Sequence, residues 1–202
     1  MSAERHPTLI PLPDELRSAR LVLRPYRPDD AAAVFAAIDE SRELLSPWMP
    51  WVQHHRDASD TRDFCARAAA NWLLRSTLDL GIFDAREGTY LGGTGLPRLD
   101  WRARTFEIGY WLRATANGKG YVSEAVRLLA RLVFEELGAQ RLEIRCDARN
   151  ARSKQVPDRL GFPLEARLRN DALDPAGQPR DTLVFAIIPE DYARLSPGWP
   201  QD

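Results

Sequence analysis

The residues of this chain best suited to chemistry form a glycine-rich turn, which consists of Asn117, Gly118, Lys119, Gly120, Tyr121 and Val122. A strand-like alternation over residues 106–112 precedes the turn, and an amphipathic helical pattern over residues 122–137 follows it. Such a turn presents backbone N–H groups at a helix N-terminus, where the helix dipole also attracts a phosphate or pyrophosphate. Glycine lets the backbone bend sharply and leaves no Cβ in the path of the anion. The turn therefore predicts a site for a nucleotide-type cofactor.

Two common nucleotide motifs fail on spacing at this turn. A P-loop needs a glycine five residues before its Gly-Lys pair and a Ser or Thr after that pair, whereas Gly120 follows Lys119 here. A dinucleotide fingerprint needs a third glycine where this chain has Ser123. A plain strand-to-helix turn without a ligand remains the alternative for the motif taken alone.

The elements that must position the turn predict an α+β fold. A hairpin-rich first half precedes a β-α-β-α-β order, which indicates a mixed sheet with helices on its faces. The strand patterns cover residues 20–23, 79–84, 89–96, 106–112, 141–146 and 182–188, and the helical patterns cover residues 29–38, 61–74, 122–137 and a shorter segment after Asn150.

Length and composition further limit the class of protein and its partners. The 202 residues fit one domain, predicted at residues 19–195, with a poorly ordered lead-in over residues 1–18 and a loose tail over residues 196–202. A net charge of -1 argues against a nucleic-acid partner, and no stretch approaches the ~18 apolar residues of a membrane span. Two cysteines, Cys65 and Cys146, are too few for a disulfide framework or a metal site, and a cytoplasmic location is expected.

The motifs together resemble those of a known family. Residues 106–112 with the Gly-Lys-Gly-Tyr turn, and the Asn-x-x-Ser…Leu-Gly-Phe segment of residues 150–162, resemble the GNAT acetyltransferase superfamily. The Trp-Met-Pro-Trp sequence within residues 45–52 is similar to a segment of its RimL/RimJ branch of N-acetyltransferases. The resemblance covers residues 19–192, and the order and spacing of the motifs make it specific.

The resemblance implies transfer of an acetyl group from acetyl-CoA to a primary amine, either a protein N-terminal amine or the amine of a small molecule. It implies a mostly antiparallel central sheet with helices on both faces and a splayed cleft for CoA. The backbone N–H groups of the turn would hold the pyrophosphate. The backbone of Tyr110, Trp111 and Leu112 would pair with the pantetheine arm as an added strand would.

Three positions depart from the family pattern. Asn117 stands where the family has Arg or Gln, and Val122 stands where it prefers Gly or Ala, so weaker CoA binding is expected. Pro157 would deprive the Ser153 carbonyl of its i+4 donor and bend the helix. Lys119 adds a point charge for a phosphate or is simply solvated. These departures motivate the rival hypothesis of a CoA-binding module or sensor with little turnover.

The resemblance assigns Ser153 to protonation of the leaving thiolate and Asn150 to a pantetheine amide, although either side chain could instead cap its helix. Glu107 is the candidate general base and acceptor contact, because strand alternation places it beside Gly109 and Trp111 in a partly dry cleft. Its alternative role is a surface carboxylate or a salt bridge to an arginine. Asp171 is a weaker candidate for a carboxylate that borders the acceptor.

Two tryptophans, Trp48 and Trp51, would wall the acceptor pocket by the same resemblance. Ordinary packing is the simpler explanation for both. The same segment also carries Leu44, Leu45 and Met49 and could face a second subunit, which makes a homodimer possible. His54 and His55 lack a third ligand at metal spacing, so no metal is expected there.

Overall fold

The structure is a computed structural model that describes residues 6–200. Its framework is an eight-stranded sheet with the strand order β1-β2-β3-β4-β5-β6-β8-β7. Only the β5–β6 pair is parallel, and the other neighbours are antiparallel. The strands are β1 (Leu16–Arg17), β2 (Leu21–Pro25), β3 (Leu78–Asp84), β4 (Tyr90–Asp100), β5 (Thr105–Leu112), β6 (Arg141–Asp147), β7 (Leu164–Leu173) and β8 (Pro179–Ile187).

Six α-helices accompany the sheet: α1 (Ala31–Glu40), α2 (Arg42–Leu45), α3 (Ala58–Leu74), α4 (Tyr121–Arg131), α5 (Ala151–Leu160) and α6 (Pro189–Leu195). Side-chain caps fix two of the starts. The carboxylate of Asp57 accepts from the N–H groups of Ser59 and Asp60 at α3, and Asn150 caps α5. A wider π-helical turn over Leu132–Glu136 extends α4. No helix within residues 6–200 is long and apolar enough to cross a membrane.

Strand alternation divides the buried side chains between two faces of the sheet. Leu21 and Leu23 of β2 join one core, which contains the apolar stripe of α4, while Val22 joins the other, which contains residues of α1 and α3. Helices therefore cover both faces, as the sequence predicts. The α+β class and the mostly antiparallel sheet are confirmed.

The predicted cleft lies where β5 and β6 separate. Their parallel pairing runs from Thr105 and Arg141 to Ile108 and Ile144. Beyond that point β5 continues with β4 alone, and β6 continues with β8. Residues 109–112 thus have one paired edge and one free edge, and the free edge faces the gap between the strands.

Both described ends of the chain contact the rest of the fold. Leu16–Arg17 pairs with β2, and the guanidinium of Arg75 donates to the carbonyl of Ile10 at 3.0 Å. At the other end, the indole N–H of Trp199 donates to the Leu160 carbonyl at 3.2 Å. Apolar side chains near both ends, among them Ile10, Leu12 and Trp199, pack against the core. The poorly ordered lead-in and the loose tail stay predictions. Residues 1–5 and 201–202 lie outside the described range.

Candidate active site

The glycine-rich turn has the backbone geometry that an anion site needs. Gly118 and Gly120 adopt φ of +78° and +80°, so both positions favour glycine for conformational reasons. A Cβ on Gly118 would meet nothing within 4 Å, and one on Gly120 would meet only a guanidinium nitrogen of Arg20 at 3.8 Å, so the space above the turn is open. Helix α4 begins directly after Gly120, and its first N–H groups have no intrahelical acceptor.

Arg20, which the sequence analysis did not single out, fastens this turn to β2. Its guanidinium donates to the Lys119 carbonyl at 3.0 Å and to the carboxylate of Glu124 at 2.7 Å. Glu124 is buried in α4 and also accepts from the Ser18 hydroxyl at 2.5 Å. The ion pair joins residues 104 positions apart, so no local sequence pattern could have indicated it.

The departures at Asn117 and Val122 are accommodated in ways the sequence did not predict. The Asn117 side-chain amide donates to the carbonyls of Arg113 at 2.9 Å and Ala114 at 3.3 Å, which closes the turn before the glycines. The Val122 side chain packs against the core under α4. Neither change removes a backbone donor from the turn.

Pro157 lies inside α5, and its missing N–H is replaced by a donor from the sheet. The Tyr110 hydroxyl donates to the Ser153 carbonyl at 2.9 Å, which is the acceptor that a residue other than proline at position 157 would serve. The same hydroxyl lies 3.3 Å from the Ser153 Oγ. This arrangement fixes the start of α5 against β5 at the mouth of the cleft.

The cap of α5 is Asn150, because its Oδ1 accepts from the Ser153 N–H at 3.1 Å. The Ser153 hydroxyl is therefore not the cap and lies between the hydroxyl of Tyr110 and the thiol of Cys146. Burial raises the pKa of Cys146 to about 11, although its hydrogen bond with Ser153 opposes the rise. The thiol stays protonated at neutral pH, which does not favour it as a nucleophile.

A cavity of about 480 Å³ extends from this hydroxyl cluster across the sheet toward α1 and α3. It brings together seven of the residues that the sequence singled out, namely Trp48, Trp51, Glu107, Tyr110, Trp111, Asn150 and Ser153. Leu112 and the turn residues Asn117, Gly118, Lys119, Gly120, Tyr121 and Val122 do not line it. The turn follows the free strand edge in the chain, and residues 109–111 of that edge line the cavity.

Part of the cavity floor is formed by glycines of neighbouring strands, which face one another. Gly95 of β4 pairs with Gly109 of β5, and Gly93 lies beside them on the same face. A bulge in β4 follows, and Pro97 packs 3.3 Å from where a Cβ of Gly109 would lie. Close packing favours glycine here, because a Cβ on Gly93 would lie 2.6 Å from both the Trp111 indole nitrogen and the Tyr26 hydroxyl.

Glu107 combines the two roles that the sequence left open. Its side chain is 15% exposed and its Oε2 lies 3.0 Å from Arg98, whose side chain is 71% exposed. Burial raises the pKa of Glu107, while the positive charges of Arg98 and Arg145 oppose the rise. The carboxylate is thus salt-bridged and also faces the cavity.

Asp171 lies at an adjoining cavity of about 360 Å³, which shares Glu107 with the larger one. A backbone irregularity of β7, where Asn170 has a φ of +50°, brings the Asp171 carboxylate to 3.0 Å from Arg145. Hydrogen bonding from the Thr182 hydroxyl lowers the pKa of Asp171. Asp171 is therefore an ionised neighbour of the acceptor region and not part of the larger cavity.

An aromatic wall closes the cavity opposite the hydroxyl cluster. The Trp51 ring lies 5.5 Å from that of Trp111 and 5.6 Å from that of His55. Burial lowers the pKa of His55, and its Nδ1 is 3.0 Å from the Thr61 hydroxyl, so a neutral ring is expected. Residues 6–200 contain no group of side chains that could hold a metal ion.

The sequence reasoning missed several residues of the cavity. They come from elements far apart in the chain, and no motif marked them; they are Tyr26, Phe64, Asp79, Arg145 and Arg180. His55 was considered only as a metal ligand.

Comparisons with known proteins agree with this geometry. A family model described as an acetyltransferase (GNAT) domain matches residues 20–163. YdaF of Bacillus subtilis, whose name suggests a ribosomal N-acetyltransferase, is 29% identical over 85% of this chain and 93% of its own. The ribosomal-protein-serine acetyltransferase of Escherichia coli is 28% identical over 78% of this chain and 89% of its own.

The fold is also that of solved acetyltransferases. A structure of RimL, a ribosomal L7/L12 α-N-protein acetyltransferase, in complex with CoA superposes with a TM-score of 0.80 at 20% identity, over 86% of this chain and 97% of that one. Similar folds have been solved with CoA or acetyl-CoA bound. Given the matched residues, the glycine turn and the splayed strands, the chain belongs to the GNAT family of acetyltransferases.

Proposed function

We propose that this protein acetylates the N-terminal amine of a protein, with a small-molecule primary amine as the second acceptor class. The observation that carries the proposal is the free edge of β5, whose residues 109–111 line a cavity together with the carboxylate of Glu107 and the hydroxyl of Ser153. The names of the relatives point to ribosomal proteins as the acceptors of those proteins.

The turn and the free strand edge have distinct tasks. The open N–H groups after Gly118 would hold the CoA pyrophosphate, and the free edge of residues 109–112 would pair with the pantetheine amides. Acetyl-CoA would supply the acetyl group as a thioester beside Gly109. The hydroxyl of Ser153 and the carboxylate of Glu107 both line the cavity there.

The proton transfers follow from the two side chains. Glu107, whose pKa is raised by burial, would accept a proton from the acceptor ammonium, which frees the amine lone pair for attack on the thioester carbonyl. The Ser153 hydroxyl would donate a proton to the sulfur that leaves and would regain one from the acetylated nitrogen, which loses its second proton as the amide forms. Trp48 and Trp51 would exclude water and position the acceptor.

The test is an acceptor screen that measures release of free thiol from acetyl-CoA. Peptides with the N-terminal sequences of ribosomal proteins are compared with small primary amines. We expect higher kcat/KM for a peptide, and a uniform preference for small amines would replace the first acceptor class with the second.

A Ser153→Ala variant tests the chemistry separately from binding. We expect kcat to fall roughly tenfold to ten-thousandfold, the range for general acid catalysis, while CoA still binds. Unchanged turnover would remove Ser153 from the acid role.

A further inference from the structure

Asp79 of β3 is a carboxylate on the cavity floor that the proposed chemistry does not use. Its side chain is largely buried, and its Oδ2 accepts from the Thr77 hydroxyl at 2.5 Å. Within residues 6–200, no basic side chain forms an ion pair with it. The chain has 28 basic residues, and the neighbouring carboxylates Glu107 and Asp171 each have an arginine partner.

A buried carboxylate without a cation is costly, because desolvation disfavours the charged form. Burial accordingly raises the pKa of Asp79, and the hydroxyl of Thr77 offsets only part of this effect. A cation placed beside Asp79 would reverse the penalty. A positive charge bound at this end of the cavity would therefore balance the carboxylate of Asp79.

The position of Asp79 relative to the transfer point follows from the strand register. Asp79 pairs with Gly95, and Gly95 pairs with Gly109, so the three residues form one row across β3, β4 and β5. Two strand spacings separate the ends of the row, which is about 10 Å. Neither glycine places a side chain of its own between the Asp79 carboxylate and the point where β5 and β6 separate, and Pro97 packs beside Gly109.

The walls above this row are aromatic. Tyr26, Trp51 and Phe64 line the same cavity, and the Tyr26 and Phe64 rings lie 5.2 Å apart. Aromatic faces attract ammonium and guanidinium groups, most strongly where water is excluded.

We propose that Asp79 binds a second positive charge of the acceptor, an ammonium or guanidinium group about one cavity length from the amine that is acetylated. The inference rests on the proposed function, since it specifies the acceptor of the same site. Two kinds of molecule carry this chemistry: a peptide with a basic side chain close to its N-terminus, and a small diamine.

The experiment compares matched acceptors on wild type and Asp79→Asn. One pair is 1,4-diaminobutane and butylamine, and the other is a peptide with lysine at its second position and the same peptide with norleucine. We expect Asp79→Asn to lower kcat/KM for the dication of the preferred pair by roughly 10- to 100-fold, the range for a hydrogen bond to a charged group, and to change the monocation by less than about twofold. The pair that shows the effect identifies the source of the charge.

Two further variants separate charge recognition from other effects. Asp79→Glu keeps the charge and should retain part of the preference for dications. Glu43→Gln removes an exposed carboxylate of the α2 segment and should change neither acceptor. Equal losses on dication and monocation in Asp79→Asn would overturn the inference, because that result would mark a structural or catalytic role.

A binding measurement distinguishes failure of this inference from failure of the proposed function. Tetramethyl-1,4-diaminobutane carries two positive charges when protonated, but its tertiary nitrogens cannot form a stable amide, so its calorimetric affinity does not depend on acetyl transfer. We expect wild type to bind it in the presence of CoA and Asp79→Asn to bind it at least tenfold more weakly. If wild type transfers acetyl groups but neither binds this probe nor prefers any dication, the inference is wrong and the proposed function stands.

Discussion

The hydrogen bond from the Tyr110 hydroxyl to the Ser153 carbonyl should depend energetically on Pro157. Tyr110→Phe removes the donor with little change of shape and leaves a half-buried carbonyl without a partner, which costs about 1–3 kcal/mol of unfolding free energy. In a Pro157→Ala background the helix regains an N–H at position 157, which would donate to the same carbonyl. There we expect Tyr110→Phe to cost less than about 0.5 kcal/mol, a coupling of roughly 1–2 kcal/mol between the two positions.

Urea unfolding of the four proteins, followed by circular dichroism, measures this coupling. The cycle cancels the loss of ring packing at Pro157, which is buried, because both proteins of the Ala background share that loss. A Ser153→Ala control removes the weaker 3.3 Å contact between the two hydroxyls and should leave the coupling intact. If Tyr110→Phe costs the same free energy in both backgrounds, the hydroxyl does not replace the missing N–H and the reasoning fails.

Three other outcomes test the cofactor site, the base and the acceptor wall. In thermal unfolding, CoA at a hundredfold excess over Kd should stabilise wild type by about 2.7 kcal/mol and Gly120→Asp hardly at all. Gly177→Asp is the control, because Gly177 also has a positive φ, +77°, and lies in an open turn. This variant should respond to CoA as wild type does. Burial raises the pKa of Glu107, and a general base must be deprotonated, so kcat/KM should begin to decrease at a higher pH than it would with an ordinary glutamate. Glu107→Gln should flatten this acidic limb of the pH profile, and an identical profile in the variant would exclude the role of base. Trp51→Ala should raise KM for the amine and leave acetyl-CoA affinity within a few fold; a change of mass in light scattering instead would support the homodimer.

The fold and the backbone geometry of the glycine turn were predictable because their signals are local. The alternation of β5 places Phe106 and Ile108 in the core and Trp111 on the opposite face, as the sequence predicts. The positive φ of the glycines in the turn can be predicted from their residue type alone. The family resemblance then supplied the strand separation, which no alternation pattern specifies.

The acceptor half was only partly predictable, because it depends on register and on residues distant in sequence. Asp79 lies between two leucines in an ordinary strand pattern, and only its pairing with Gly95 places it on the cavity floor. Strand β7 escaped prediction because it lies at the sheet edge with most of its side chains exposed, so it lacks an apolar alternation. The segment with Trp48 and Trp51 was located through the family resemblance, but the contact between Trp51 and Trp111 could be identified only in the folded structure.

The separation of β5 from β6 also bears on how the protein behaves in solution. A free strand edge is a template on which another extended chain can add, and such edges promote association between copies. Residues 109–112 present an edge of this kind in the interior of the sheet. A pantetheine arm along it would occupy the same hydrogen-bonding groups, so we expect CoA to slow aggregation, measured as turbidity at raised temperature, more than its effect on unfolding alone would explain. The cofactor would then protect the fold from edge-to-edge association as well as deliver the acetyl group.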